Sequence, residues 1–162
     1  MSAAALSEHV RHTIDQWVAK FPAGRQRSAV LGALQAAQHE NGGYLTQDLM
    51  DGVAAYLDLP AIQVYEVATF YSMFETRPVG RHCLSVCTNI SCMLRGADEI
   101  VAYLEDKLGT QLGESTPDGK FYLKREEECL AACCGAPMMM LDHVYHEHLT
   151  PRKIDEILEA LD

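Results

Sequence analysis

Apolar side chains recur at helical spacing through the first half of the chain. Val10, Ile14, Trp17, Val18 and Phe21 share one helical face, and Pro22 ends that run. Ser28 is a suitable N-cap for a second helix carrying Leu31, Leu34 and Ala37, closed by Gly42 and Gly43. Thr46 can cap a third, with Leu49, Val53, Tyr56 and Leu57 on one side. Pro60 suits the first turn of a fourth, which carries Ile62, Val64, Tyr65, Val67, Ala68, Phe70, Tyr71 and Met73. Apolar groups there cover more than one face. That predicts a helix largely buried, or half-buried with a partner.

After a linker from Glu75 to Arg81 the period changes. His82 to Cys87 alternates in strand fashion, with Cys83, Ser85 and Cys87 on one face and Leu84 and Val86 on the other. Leu94, Ala97, Val101, Leu104 and Leu108 then mark an amphipathic helix ending at Gly109. The stretch from Leu112 to Gly119 is turn-rich, with Asp118-Gly119 as a turn signal. Phe121 to Lys124 and Met138 to Leu141 read as strands, the second preceded by Pro137 at a position strands tolerate. Thr150 and Pro151 open a last helix with Ile154, Ile157, Leu158 and Leu161 inward. Strand, helix, strand, strand, helix is a small α/β domain of thioredoxin-like order.

Composition narrows the class of function. Apolar residues make up 48% of the 162 residues, which fits a folded globular chain. No stretch approaches the ~18–20 apolar residues of a membrane span. Residues Met1 to Val10 lack the basic and apolar regions of a secretory signal, so the expected compartment is the bacterial cytoplasm. The net charge of −10 opposes phosphate backbones and anionic lipid, so nucleic-acid binding and direct membrane insertion are not expected. If a redox centre is present, fixed negative charge would also push its reduction potential downward.

The six cysteines supply the chemistry: Cys83, Cys87, Cys92, Cys129, Cys133 and Cys134. In a reducing compartment they favour metal binding over disulfides. They fall in two tight groups. Cys87 and Cys92 form C-x₄-C where a strand gives way to a helix, so backbone N–H groups and a helix N-terminus can face sulfur. Cys129 and Cys133 form C-x₃-C. Structural zinc sites favour pairs two to four apart, with C-x₂-C dominant, whereas a diiron cluster gives each iron its own thiolate pair and accepts wider spacing. Spacing therefore favours a [2Fe–2S] cluster on Cys87, Cys92, Cys129 and Cys133, with zinc and a thiol-only reading as alternatives. Cys83 gives a rival C-x₃-C pair with Cys87, but it and Cys134 read as packing residues. His143, His146 and His148 fit a solvated turn near the strand edge, and Met138 to Met140 fit a core. No C-x-x-C, P-loop, GxGxxG or nucleophile elbow is present, so the chain has no evident nucleotide site of its own.

Three runs then carry a resemblance: Val64 to Phe74 (VYEVATFYSMF), Val86 to Gly96 (VCTNISCMLRG), and Glu128 to Cys133 followed by Ala136 to Met139. In this order they resemble the thioredoxin-like [2Fe–2S] subunit of respiratory complex I, NADH–quinone oxidoreductase. The pattern of elements, with this resemblance, predicts an α+β fold: a helical bundle over 1–76, then a thioredoxin-like α/β ferredoxin domain over 80–162. The resemblance implies that Cys87, Cys92, Cys129 and Cys133 ligate the cluster. The chain would be an electron-transfer subunit of that oxidoreductase, with no substrate site of its own. The helical half and the Tyr65–Phe74 helix would help dock it on the flavin-bearing subunit, among other peripheral-arm subunits. FMN and NADH would bind that partner, and the whole would lie peripheral to the bacterial inner membrane. The matching subunit of an NAD-linked formate dehydrogenase or hydrogenase is an alternative, as is a zinc-bound structural module. One departure is that Ala131 stands where the family usually has glycine, which bears on N–H contacts to sulfur.

Overall fold

The computed structural model describes residues 6–125 and 129–161. The chain divides into two compact units, Met1–Pro78 and Val79–Asp162.

The first unit is helical: α1 Glu8–Val18, α2 Val30–Glu40, α3 Gln47–Tyr56 and α4 Ala61–Phe70. Two of the four have side-chain caps. Val10 N–H donates to Ser7 Oγ at 3.1 Å, and Leu49 N–H donates to Thr46 Oγ1 at 3.2 Å. Each satisfies an N–H that a helix start would otherwise leave open. The core joins Val10 and Ile14 of α1, Leu34 and Ala37 of α2, Val53 and Ala54 of α3, and Val64 and Ala68 of α4. Small residues let the helices approach closely. Gly32 of α2 lies under the Trp17 ring, where a Cβ would sit 2.4 Å from ring carbons.

Three sequence expectations change here. Ser28 does not cap α2, because a 3₁₀ turn over Gln26–Ala29 leads into that helix and no side chain caps it. Helix α1 stops at Val18, before Phe21 and Pro22, because Lys20 and Phe21 donate instead to Trp17 and Val18 carbonyls in a tighter turn. Helix α4 ends at Phe70, since Tyr71 is extended, so Tyr71 and Met73 lie beyond it. Of the two burial outcomes considered for α4, half-burial holds. Val64 and Ala68 face inward, while Ile62 is exposed and Phe70 is 80% exposed.

The second unit is built on a five-stranded sheet in the order β2-β3-β1-β4-β5: β1 His82–Val86, β2 Glu114–Ser115, β3 Phe121–Leu123, β4 Met139–Leu141 and β5 Val144–His146. Strands β1 and β3 are parallel; the other pairs are antiparallel. Helix α5 spans Ile90–Met93, α6 Ala97–Leu108 and α7 Pro151–Glu159. Leu84 and Val86 of central β1 pack with Ile100 and Leu104 of α6 and Ile154 and Leu158 of α7. Helix α7 begins as expected, with Pro151 in its first turn and Thr150 Oγ1 accepting from Lys153 N–H at 3.2 Å. Gly109 closes α6 in the left-handed conformation. Asp155 ties the two long helices together, accepting from Tyr103 Oη at 2.7 Å and Lys107 Nζ at 2.6 Å.

Strands β2 and β5 fall where turns were expected. Both are short edge strands, defined by ladder hydrogen bonds and not by alternating burial. Asp142 and His143, both with positive φ, make the two-residue turn between β4 and β5. So His143 does sit on an exposed turn, but His146 belongs to β5. Leu94 was expected on the buried face of the long helix. It lies in the turn between α5 and α6 and is 76% exposed.

Candidate iron–sulfur site

The site forms at the C-terminal end of β1. Cys87 follows the strand directly, and its N–H donates to the Met138 carbonyl at 3.2 Å, extending the register toward β4. Asn89 then turns the chain. Its Oδ1 accepts from Ile90 N–H at 2.9 Å, and its carbonyl accepts from Cys92 N–H at 2.9 Å. That turn brings Cys92 back beside Cys87. Helix α5 is only four residues long, so the fixed N–H groups near sulfur matter more here than a helix dipole.

The second loop supplies Cys129 and Cys133. Their sulfurs are 3.6 Å apart. Metal–thiolate bonds of about 2.3 Å at a tetrahedral angle would set two sulfurs about 3.8 Å apart, so this pair is already at ligand spacing. Ala131 N–H points back at Cys129 Sγ at 3.3 Å. Cys133 opens a 3₁₀ turn, Cys133–Gly135, and Pro137 follows with a cis bond from Ala136.

The fold joins the two loops. Cys87 sulfur meets the thiols of Cys92 and Cys129 and the N–H groups of Leu130 and Asn89. Cys92 sulfur receives Met138 N–H and feels the charge of Cys87 and Cys133. Backbone from the second loop thus donates to both cysteines of the first. Cys87 and Cys92 are 2% and 1% exposed, and they pack with Ala97, Ala136 and Met138; Cys129 and Cys133 are exposed. Among the described residues, no three His, Cys, Asp or Glu side chains converge on a single ion position; the four thiols are arranged as linked pairs. Cys134 is exposed in the middle of its turn. Cys83 lies at the other end of β1, where its N–H donates to Asp142 Oδ1 at 2.8 Å. Glu128, the first residue of the third motif, lies outside the described residues.

Electrostatics separate the buried pair. Burial pushes the Cys87 thiol up, but N–H donation from Leu130 and Asn89, with the thiols of Cys92 and Cys129, outweighs it and holds its pKa below the usual thiol value. Burial, then the bond to Cys87 and its charge, pushes Cys92 up to about 11. Of the two buried thiols, Cys87 is therefore the one whose surroundings favour the thiolate, and Cys92 the one whose surroundings oppose it. At Cys129 the Ala131 N–H favours the thiolate, but the Cys133 bond, burial and neighbouring charge together raise its pKa.

The backbone donors at Asn89, Leu130, Ala131 and Met138 have no residue-type signal, so sequence reasoning could name the loops but not these groups. Ala131 is the exception. Its φ is +63°, a conformation that costs a residue with a Cβ about 1–2 kcal/mol. Glycine there would relieve that strain but add unfolded-state entropy of about 0.4–1 kcal/mol. The first effect wins. Ala131→Gly is expected to raise stability by up to about 1.6 kcal/mol, read as a higher urea midpoint at unchanged m-value. A lower midpoint would contradict the strain assignment.

Known proteins resemble this chain along most of its length. Residues 14–162 match the family model described as thioredoxin-like [2Fe-2S] ferredoxin. The E-type subunit of the NADH-quinone oxidoreductase of Rickettsia bellii (strain RML369-C) is 44% identical over 144 residues, covering 89% of this chain and 86% of that protein. The second E-type subunit of the same oxidoreductase in Rhizobium meliloti (strain 1021) is 42% identical over 151 residues, covering 93% and 88%. Among solved structures, an NAD+-reducing [NiFe]-hydrogenase in the air-oxidised state aligns with TM-score 0.67 over 78% of this chain and 22% of its own, at 21% identity, a likeness of fold alone. With a family match over nearly the whole chain and relatives above 40% identity along most of their length, the chain belongs to the thioredoxin-like [2Fe–2S] ferredoxin family.

Proposed function

We propose that the chain is the E-type electron-transfer subunit of an NADH–quinone oxidoreductase, with one [2Fe–2S] cluster on Cys87, Cys92, Cys129 and Cys133. The observation that carries this reading is the meeting of two cysteine pairs, one buried and one exposed, at the end of β1. The residues fit the group. Four thiols from two loops lie in one hydrogen-bonded set, one pair is at ligand spacing, and backbone N–H groups are aimed at sulfur. When bound, such a cluster would supply one-electron transfer, with FMN at an adjacent site as its exchange partner and no bond made to substrate. The chain's own part is to hold the thiolates, to supply N–H groups that stabilise negative charge, and to leave one side open. Cys129 and Cys133 lie on that side, and Ile90, Met93 and Leu94 are exposed nearby in sequence to Cys92.

FMN and NADH belong, on this reading, to the flavin-bearing partner subunit. The other peripheral-arm subunits complete the assembly. No helix among the described residues is long and apolar enough to cross a membrane; attachment to the bacterial inner membrane would run through the complex. The matching subunit of a hydrogenase is a weaker reading, since that likeness is 21% identical while the quinone-oxidoreductase relatives are 42% and 44% identical.

Low-temperature EPR of anaerobically purified chain tests the proposal. The oxidised sample is expected to be silent and to gain one spin-one-half signal per chain on reduction with dithionite. A colourless chain with stoichiometric zinc and no signal would overturn it.

A further inference from the structure

The turn carrying Cys133 is braced from outside the site. Gly135, the last residue of that turn, is buried. It has no positive φ, so backbone freedom does not explain glycine there. Space does. A Cβ at Gly135 would lie 2.4 Å from Glu147 Cδ and 2.5 Å from both Glu147 Cβ and Cγ. The conflict includes Cβ, so a change of Glu147 rotamer cannot remove it.

The segment pressing on Gly135 is itself fixed. His148 N–H donates to the Gly135 carbonyl at 2.6 Å, and Leu149 N–H donates to the Pro137 carbonyl at 2.9 Å. His148 has a φ of +50°. Lys153 Nζ, in the first turn of α7, donates to the Glu147 carbonyl at 2.5 Å. Leu149 is buried in the sheet core with Ile154 and Leu158. Inside the turn, Gly135 N–H donates to the Ala132 carbonyl at 3.0 Å, and Ala136 N–H to the Cys133 carbonyl at 3.3 Å. A continuous path of packing and hydrogen bonds therefore runs from the start of α7, through 147–149, to Cys133.

We infer that Glu147–Leu149 is a strap that sets the position of the Cys133 turn, with Gly135 as the positioning residue through which it acts. The inference rests on Cys133 being a ligand. The strap holds the exposed sulfur pair in place without touching sulfur, and so governs how readily the exposed side of the site opens. Adding one carbon at Gly135 must push the turn away from the strap. Removing the Glu147 side chain makes room for it.

The test compares the wild-type full chain, Gly135→Ala, and Gly135→Ala with Glu147→Gly. The readouts are the EPR g-values of the reduced protein and the rate of iron loss to a ferrous chelator. Gly135→Ala is expected to shift and broaden the signal and to speed iron loss several-fold. The added Glu147→Gly is expected to return both toward wild type. Wild-type spectra and rates in Gly135→Ala would overturn the strap. So would a defect, including failure to fold, that Glu147→Gly does not repair. A wild-type chain without any [2Fe–2S] signal would instead sink the ligand assignment. The strap is then read in metal-free protein, from bridging of Cys129 and Cys133 by dibromobimane. Bridging should fall in Gly135→Ala and recover in the double variant, and equal bridging in all three would overturn it.

Discussion

Cys92→Ser is expected to lower bound iron at least tenfold and to abolish the reduced EPR signal, while Cys83→Ser and Cys134→Ser keep both. Cys92 is buried against Cys87, Ala97, Ala136 and Met138, so no outside group can replace its sulfur. Serine offers an oxygen whose proton is held far more tightly than that of a thiol. On the proposed ligand set, the three remaining thiols would leave one metal short of a ligand. Cys83 fails as a substitute for a geometric reason. It lies within β1, four residues before Cys87, and a strand rises about 3.3 Å per residue, so their Cα atoms are about 13 Å apart. Two thiolates on one metal need sulfurs about 3.8 Å apart. The C-x₃-C spacing that brings Cys129 and Cys133 together in a loop cannot do so along a strand. Cys134 adjoins Cys133 on a 3₁₀ turn and is exposed, outside the set of linked thiols. If Cys83→Ser destroyed the signal while Cys92→Ser kept it, the assignment would be wrong.

The same contrast explains what was legible in the sequence. Elements closed by strong local chemistry could be read directly. Thr46 caps α3, Thr150 and Pro151 open α7, and Gly109 ends α6, because these residues act through their own side chains or lack of one. The α+β class followed from the change of apolar period after the linker. The features that were not legible depend on backbone groups and neighbours distant in sequence. Strands β2 and β5 exist through their pairing with β3 and β4. Leu94 completes an apolar spacing, yet Gly96 adopts a left-handed φ before α6 and turns Leu94 out of the helix. At the site, cysteine spacing singled out the thiols that the fold gathers. The N–H groups that differentiate them come from Asn89, Leu130 and Met138, whose side chains carry no such information, and from Ala131, which drew notice only by standing where glycine is usual.

Met138 joins the packing to the chemistry, and Met138→Ala is expected to destabilise the metal-free second unit by about 2–5 kcal/mol. Its side chain is fully buried. Its backbone reaches both buried cysteines, accepting from Cys87 N–H at 3.2 Å and donating to Cys92 sulfur. Truncation leaves those backbone groups in place and removes what fixes them. The surrounding Ala97 and Ala136 are too short to fill the space, so the cavity persists and the cost stays toward the upper part of that range. Met138→Leu keeps most of the volume and should cost less than about 1.5 kcal/mol. Urea unfolding of the metal-free chain, followed by a probe confined to the second unit, measures both. A lower midpoint at constant m-value for alanine, largely restored by leucine, is the expected pattern. Iron loss should accelerate in the same order, because a looser floor beneath Cys87 and Cys92 lowers the free energy of opening the site. Equal stability of Met138→Ala and wild type would mean that the buried thiols are held by their loops alone.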